Sequence, residues 1–279
     1  MPEKTLLEKS KKNWIIVLII CLLSIAVIIS LGFRSYDESR SIVKEQFSER
    51  QLLLSKQISS GMSEFLNEKT TLIEIMALHI SSASPEVIMD EFRDVYNKTD
   101  GVYVFEFVNE TGVVIMGFPV ENTPLGYDLY RSIRPDDSET EQVLKDTFEW
   151  VRDKKETKIT RPVRLLEGGL GAFVWAPVYR GDEFKGIILA IISISDISDK
   201  FMKNYDFPWN ILMIDDRGMI LYDSSGKYKE GITFPEALNI SYPLSDLQDQ
   251  MRGTEGIGYY LDSNSSKKLL AYSPIACMN

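Results

Sequence analysis

The sequence predicts an α+β protein: a long N-terminal helix that crosses a membrane and continues as a stalk, then two cycles of helix and antiparallel strands. Three observations predict it. Residues Trp14–Phe33 form an apolar run without a charge or a Pro. From Ser35 to about Ser82 there is no Pro, the only Gly is Gly61, and apolar residues recur at helical steps. Beyond Gly101 the period shortens to that of strands, and a second strand–turn–strand pattern begins near Trp209.

The apolar run WIIVLIICLLSIAVIISLGF is long enough, at about 1.5 Å per residue, to span a bilayer core of about 30 Å. It is too long for the core of a cleaved signal peptide, and no A-x-A site follows it. The tail before it, residues 1–13, holds Lys4, Lys9, Lys11 and Lys12 against Glu3 and Glu8. Short basic tails stay in the cytoplasm, so the expected placement is a single-pass protein of the cell membrane with residues 34–279 outside.

Val43, Phe47, Leu54, Ile58, Met62, Phe65, Leu72, Met76 and then His79 or Ile80 make one apolar stripe along the stalk, residues 34–84. A helix of about 45 residues with such a stripe needs a partner, either a domain lying along it or a second copy in a parallel dimer. Ser84-Pro85-Glu86 restarts a helix, with Ser as cap and Pro in the first turn. GVYVFEFVNETGVVIMGFP then reads as strand, turn and strand. Residues 136–155 read as a helix, acidic at its start and basic at its end. KITRPVRLL, GAFVWAPVYR and GIILAIISI read as three strands. The second cycle, within 198–279, repeats the scheme: ILMIDDRGMILYDSS as strand, Asp-Arg-Gly turn and strand, a weak helical stretch at PLSDLQDQMR, then GIGYYLDS and KKLLAYSPI.

The net charge is −10; the tail carries +2, so the remainder carries −12. Such a surface repels nucleic acid and anionic lipid. The two cysteines, Cys21 in the apolar run and Cys277 at the far end, build no disulfide framework. No catalytic set is legible: there is one His, His79, on the stalk, and no G-x-S-x-G, P-loop or H-E-x-x-H. Asp136-Asp137 opens a helix and Asp215-Asp216 lies in a hairpin turn, so neither pair points to a metal. No catalytic residue, metal or cofactor is expected.

A small-molecule pocket needs an apolar concave wall with a few placed polar groups. Phe105 and Phe107 share one face of their strand, and Phe173, Trp175 and Pro177 share one face of theirs. They either enclose a ligand or pack against the stalk. Arg131, Arg134, Arg161 and Arg164 stand out in an acidic body, with Tyr127, Asp128 and Tyr130 near the first two. Arg forks bind carboxylates, so an anionic or zwitterionic ligand such as an organic acid or amino acid is expected, against the plainer reading of surface ion pairs. Arg161 and Arg164, taken as residues of one strand, face opposite sides.

Residues 35–279 resemble the double Cache and CHASE group of extracellular sensors, pairs of PAS-like domains on a stalk helix that feed histidine kinases, chemoreceptors and nucleotide cyclases. The resemblance rests on the stalk, Gly126-Tyr127-Asp128-Leu129, Lys158-Ile159-Thr160-Arg161-Pro162-Val163, and Phe173–Tyr179 followed by Phe184-Lys185-Gly186. It implies a membrane-distal domain at 85–197 that holds the ligand, with Thr160 and the strand Phe173–Tyr179, thus Tyr179 too, on the pocket wall. It implies a membrane-proximal domain at 198–279. The acidic residue that reads adenine in cytokinin receptors has no counterpart near Phe118-Pro119-Val120, so cytokinin is not the expected ligand. The resemblance implies a final strand, a second span and an output domain after Asn279, so the expectation is that 198–279 is one strand short and that the sequence is a fragment of a longer receptor. A membrane-anchored interaction protein without a small ligand is the reading from another class.

Overall fold

The computed structural model describes residues 3–131, 138–166, 168–203, 210–215, 217–228, 232, 254–261 and 267–275; the side chains of 3–20, 259–261 and 267–268 lie outside that description. Helix α1 runs from Glu3 to His79 without a break, and a single 3-10 turn, Ile80–Ser82, ends it. The stretches expected as span and stalk thus fall in one helix. Among the described residues no helix is long and apolar enough to cross a membrane. The part of the expected span at 14–20 belongs to the side chains not described. Two compact units divide the chain, Met1–Leu53 and Leu54–Asn279.

The second unit contains the folded body. Helix α2 (Pro85–Lys98) starts at the Pro read from the sequence, with Ser84 extended at the cap position. Strands β1 (Val104–Asn109) and β2 (Val114–Phe118) form the first hairpin. Its turn is held by Asn109, whose Oδ1 accepts from the Thr111 and Val113 amides at 3.0 and 2.9 Å. Helix α3 (Ser138–Lys154) follows, then β3 (Lys158–Ile159), β4 (Val163–Arg164), β5 (Leu170–Arg180) and β6 (Glu183–Ser193). These six strands make one antiparallel sheet in the order β2-β1-β6-β5-β3, with β4 also paired to β5. KITRPVRLL is therefore two short strands, not one. Pro162 has no amide hydrogen to give a ladder, and the chain breaks there. Arg161 sits in that break, so the expected opposition of Arg161 and Arg164 across one strand does not apply.

Helix α4 (Ile194–Ser198), capped by Ser193 Oγ accepting from the Asp196 amide, and a wider helical turn at Asp199–Lys203 lead out of the sheet. Strands β7 (Leu212–Ile214) and β8 (Ile220–Asp223) pair with each other, as do β9 (Gly256–Leu261) and β10 (Lys267–Tyr272). The helical stretch expected at PLSDLQDQMR and the turn at 264–266 lie outside the described residues.

The sheet has a different core on each face. One face packs with α1 and α2: Ile58, Met62, Phe65, Leu66, Ile73, Met76 and Ile80 of the stalk helix and its end join Ile88 and Phe92 of α2. Here the long β5–β6 hairpin matches small against large residues across the strands, Ala172 to Ile192, Val174 to Ala190 and Ala176 to Ile188. That evens the surface on which the helices lie. Of the two residues offered for the last stripe position, Ile80 takes it while His79 is exposed beside Glu91. The stripe departs from its sequence reading in two places: Ile73 rather than Leu72 is fully buried, and Val43 and Phe47 are exposed. The other face carries Val104, Val108, Phe173, Trp175, Ile187, Leu189 and Ile191 and is covered by α3 through Leu144, Phe148 and Val151.

Gly186 explains one of the family-like pieces of sequence. Its φ is +135°, and an added Cβ would lie 2.1 Å from the Val108 carbonyl oxygen of β1. It stands where the β5–β6 register shifts by a bulge after Val178. Gly186→Ala, by clash and backbone strain together, should lower the stability of the folded body by at least about 2 kcal/mol. Thermal unfolding of the full chain in detergent checks this, and an unchanged Tm would refute the close approach.

Candidate functional site

The two-residue period of a strand sends neighbouring side chains to opposite faces. In β1 it directs Phe105 and Phe107 toward α1 and α2 and turns Glu106 and Val108 to the α3 side. On that side the core is incomplete. A cavity of about 60 Å³ lies between the sheet, the loop after β2, the first turn of α3 and the stretch after β4. At about 10–15 Å³ for each water-sized position, it admits a compact molecule.

The wall is mostly apolar. Val108, Val114, Leu189, Ile191, Phe173 and Trp175 come from the sheet, Leu129 from the loop, Leu144 from α3 and Leu165 from the segment after β4. Polar groups enter from four elements: Glu106 on β1, Asn122 and Tyr127 in the loop, Thr140 and Glu141 at the start of α3, and Arg164 on β4. Glu106 is 2% exposed, a carboxylate taken into the protein. Arg164 is exposed at the rim and forms no ion pair among the described residues. Phe173 and Trp175 stack with ring centroids 6.3 Å apart, and Trp175 is fully buried. Among the described residues its Nε1 has no hydrogen-bond partner.

Of the residues singled out from sequence, Tyr127, Phe173 and Trp175 stand on this wall. The others are placed elsewhere. Phe105 and Phe107 are core on the opposite face, Phe105 against the rings of Phe92 and Tyr96. They take the packing alternative, because the strand period allows only one of each neighbouring pair to face the cavity. Thr160 is buried and structural: its Oγ1 accepts from the Phe173 amide at 3.1 Å, clipping β5 from the side. Asp128 closes a turn by accepting from the Tyr130 amide at 2.9 Å, and Arg131 lies 3.4 Å from its other oxygen, at a surface hollow. Tyr179 donates its hydroxyl hydrogen to the Arg152 carbonyl at 2.5 Å, tying β5 to the end of α3. Arg134 lies outside the described residues.

Arg161 pairs with Glu139 at 2.6 Å. Glu139 also accepts from Arg217, which in turn holds the nearly buried Asp215 carboxylate at 2.9 Å. So the turn of the β7–β8 hairpin is tied to the first turn of α3, next to Thr140 and Glu141 of the cavity wall. Arg161 takes the plainer alternative, an ion pair, and Asp215 is the turn residue expected, its Oδ1 accepting from the Arg217 and Met219 amides at 3.0 and 2.7 Å; neither lines the cavity. Sequence reasoning missed Glu106, whose signal was present: one carboxylate inside the otherwise apolar strand VFEFVN. Among the described residues no group of three or more His, Cys, Asp or Glu is placed to hold a metal.

With this geometry in hand, the chain can be set beside known proteins. Residues 39–279 match the family described as Cache domain. No curated protein matches significantly. Among solved structures, the extracellular ligand binding receptor from Desulfohalobium retbaense DSM5692 superposes with a TM-score of 0.58 at 17% identity, over 76% of this chain and 36% of that one. The chain thus spans about a third of that receptor's length. The ligand binding domain of the Pseudomonas aeruginosa PAO1 amino acid chemoreceptor PctB, in complex with L-Arg, gives 0.58 at 16% identity over 83% and 89%. An extracellular domain assigned to a histidine kinase, rpHK1S-Z16, gives 0.63 at 14% identity over 85% and 92%. At these identities the likeness is one of fold.

Two tyrosines at the α3 contact make a pH prediction. Burial, helped by Asp153 and opposed by Arg152, pushes the Tyr179 hydroxyl above its ordinary range. Burial and Glu149 do the same for Tyr130. Both groups hold their protons more tightly folded than unfolded, so their stabilisation is complete below about pH 10 and is lost as pH rises beyond it. Tm measured from pH 8 to 11 should fall at the alkaline end, and Tyr179→Phe should flatten that fall. An equal fall in the variant would remove Tyr179 as a contributor.

Proposed function

The chain belongs to the Cache domain family, and from that premise we propose that it is the small-molecule-sensing region of a membrane signal-transduction receptor, with a sensor histidine kinase as the output. The observation that carries this reading is the partly open, largely apolar cavity on the α3 face of the six-stranded sheet, with Arg164 at its rim and Glu106 and Trp175 in its wall. A cavity lined this way suits an amino acid or small organic acid. Arg164 stands at the rim with no ion pair among the described residues, which suits a ligand carboxylate. On this reading the chain itself performs no catalysis. The alternative outputs, a chemoreceptor or a nucleotide cyclase, are distinguished by the coding sequence downstream.

The finer parts of the reading rest on sequence. Trp14–Phe33 anchors the chain, the lysine-rich tail stays inside, and the folded body lies outside. Strands β7 to β10 belong to a second, membrane-proximal lobe. Exposed Val43, Phe47 and Leu53 on α1 form the seam of a parallel homodimer. Ligand capture moves α3 and the sheet relative to α1, which runs on toward the membrane. It can shift the receptor's state only by the difference in ligand affinity between the two states.

A thermal-shift screen of the full chain in detergent against the amino acids and short organic acids should find at least one that raises Tm. Arg164→Met should weaken its binding about tenfold, equivalent to about 1.4 kcal/mol, without moving the unliganded Tm. A screen in which nothing shifts Tm would favour the ligand-free interaction protein.

A further inference from the structure

We propose that the indole N–H of Trp175 is the specificity-determining donor of this cavity, and that the ligand end reaching it is an oxygen acceptor, carboxylate or carbonyl, on a compact molecule. The inference deepens the small-molecule reading above and rests on it. Trp175 sits mid-strand in β5, opposite Leu189 of β6, and is 0% exposed. Its ring is held by strand geometry and by the stacked Phe173 ring, so it cannot turn to solvent. Buried indole N–H groups in proteins find partners as a rule. Among the described residues this one has none, although Trp175 belongs to the cavity wall.

The chemistry of the group sets the selectivity. An indole N–H donates and never accepts, so it favours oxygen and disfavours an ammonium or amine hydrogen at the same place. It is neutral, so it needs no countercharge and serves a carboxylate or an uncharged carbonyl alike. Arg164 stands on β4, which pairs with β5 at Gly171 and Leu170, about five residues along from Trp175. Leu170 faces α1 and Trp175 faces α3, so the register sends Arg164 and Trp175 off opposite faces of their strands, and the indole acts inside the cavity without the guanidinium. A cavity of about 60 Å³ holds about four to six water-sized positions, which limits the part of the ligand inside it to roughly that many non-hydrogen atoms.

The test uses the full chain in detergent with propionate, propionamide, L-alanine and propylamine as probes. The chain has four tryptophans, so 15N-indole labelling gives a short spectrum in which Trp175→Phe identifies the Trp175 signal. The expected result is that propionate, propionamide or L-alanine moves the Trp175 indole proton downfield while propylamine does not. In Trp175→Phe, affinity for the effective probe should fall about tenfold or more, and its preference over propylamine should shrink by the same factor. A mere packing role would lower the unliganded Tm without changing that preference. If propionate and propionamide act equally, the acceptor is a carbonyl oxygen; if propionate and L-alanine act and propionamide does not, it is a carboxylate. Should Trp175→Phe fail to fold, Phe substitutions of Trp14, Trp150 and Trp209 assign the Trp175 signal by elimination, and its shift in the wild-type chain decides. A probe that raises Tm but leaves the Trp175 signal in place, or binds the variant equally well, overturns this inference and leaves the sensing reading standing. No Tm rise with these probes or with the wider screen overturns both.

Discussion

Everything distinctive in this protein depends on one constraint: the central strands β1, β5 and β6 must satisfy two unlike neighbours at once. A strand presents alternate residues to opposite faces, so a single run of sequence writes two surfaces. In β5, Ala172, Val174 and Ala176 make a low surface for α1 and α2, while Phe173 and Trp175 project toward α3. In β6, Ile188, Ala190 and Ile192 answer the first set and Ile187, Leu189 and Ile191 the second. The helix face closes because small meets large across each pair. On the α3 face large meets large, and bulky rings across from a helix that touches mainly through Leu144, Phe148 and Val151 leave the space beside its first turn open.

That open space is where the polar groups converge. Glu106 reaches it by the same alternation that buries Phe105 and Phe107 on the other face. Around it, the residues that first looked like ligand contacts turn out to hold the frame. Thr160 clips β5, Tyr179 ties β5 to the end of α3, and Arg161 joins Glu139. Glu139 takes Arg217 as well, so the β7–β8 turn and the α3 turn beside the cavity share one carboxylate. Exposed ion pairs of this kind contribute about 0–1 kcal/mol each. They set position more than stability, and this one links the edge of the cavity to the strands that follow the sheet.

The limits of sequence reading are visible in particular residues. The start of α2, the β1–β2 turn, and the ends of β5 and β6 were legible because each has a local cause: Ser84-Pro85, the Asn109 side chain, the Gly168-Gly169 and Gly181-Asp182 breaks. The split of β3 from β4 is also local, since Pro162 withholds a ladder donor. The stalk stripe was legible in period and, through Ile58, Met62, Phe65 and Met76, in phase, except at one step. A stripe drawn through Leu72 and one through Ile73 differ by a single residue, and only the docked sheet selects between them.

By itself the sequence determined the elements, their order, the acidic body and the existence of two-faced aromatic strands, because propensity, turn chemistry and periodicity act over a few residues. Only the tertiary structure decided which face of each strand meets a helix and which meets a cavity. Phe105 and Glu106 are adjacent and equally buried, and alternation says merely that they part company. The side on which α1 lies was settled by a core that joins residues more than a hundred positions apart, Met62 and Leu66 with Ala176 and Ile188, and no local pattern carries that information.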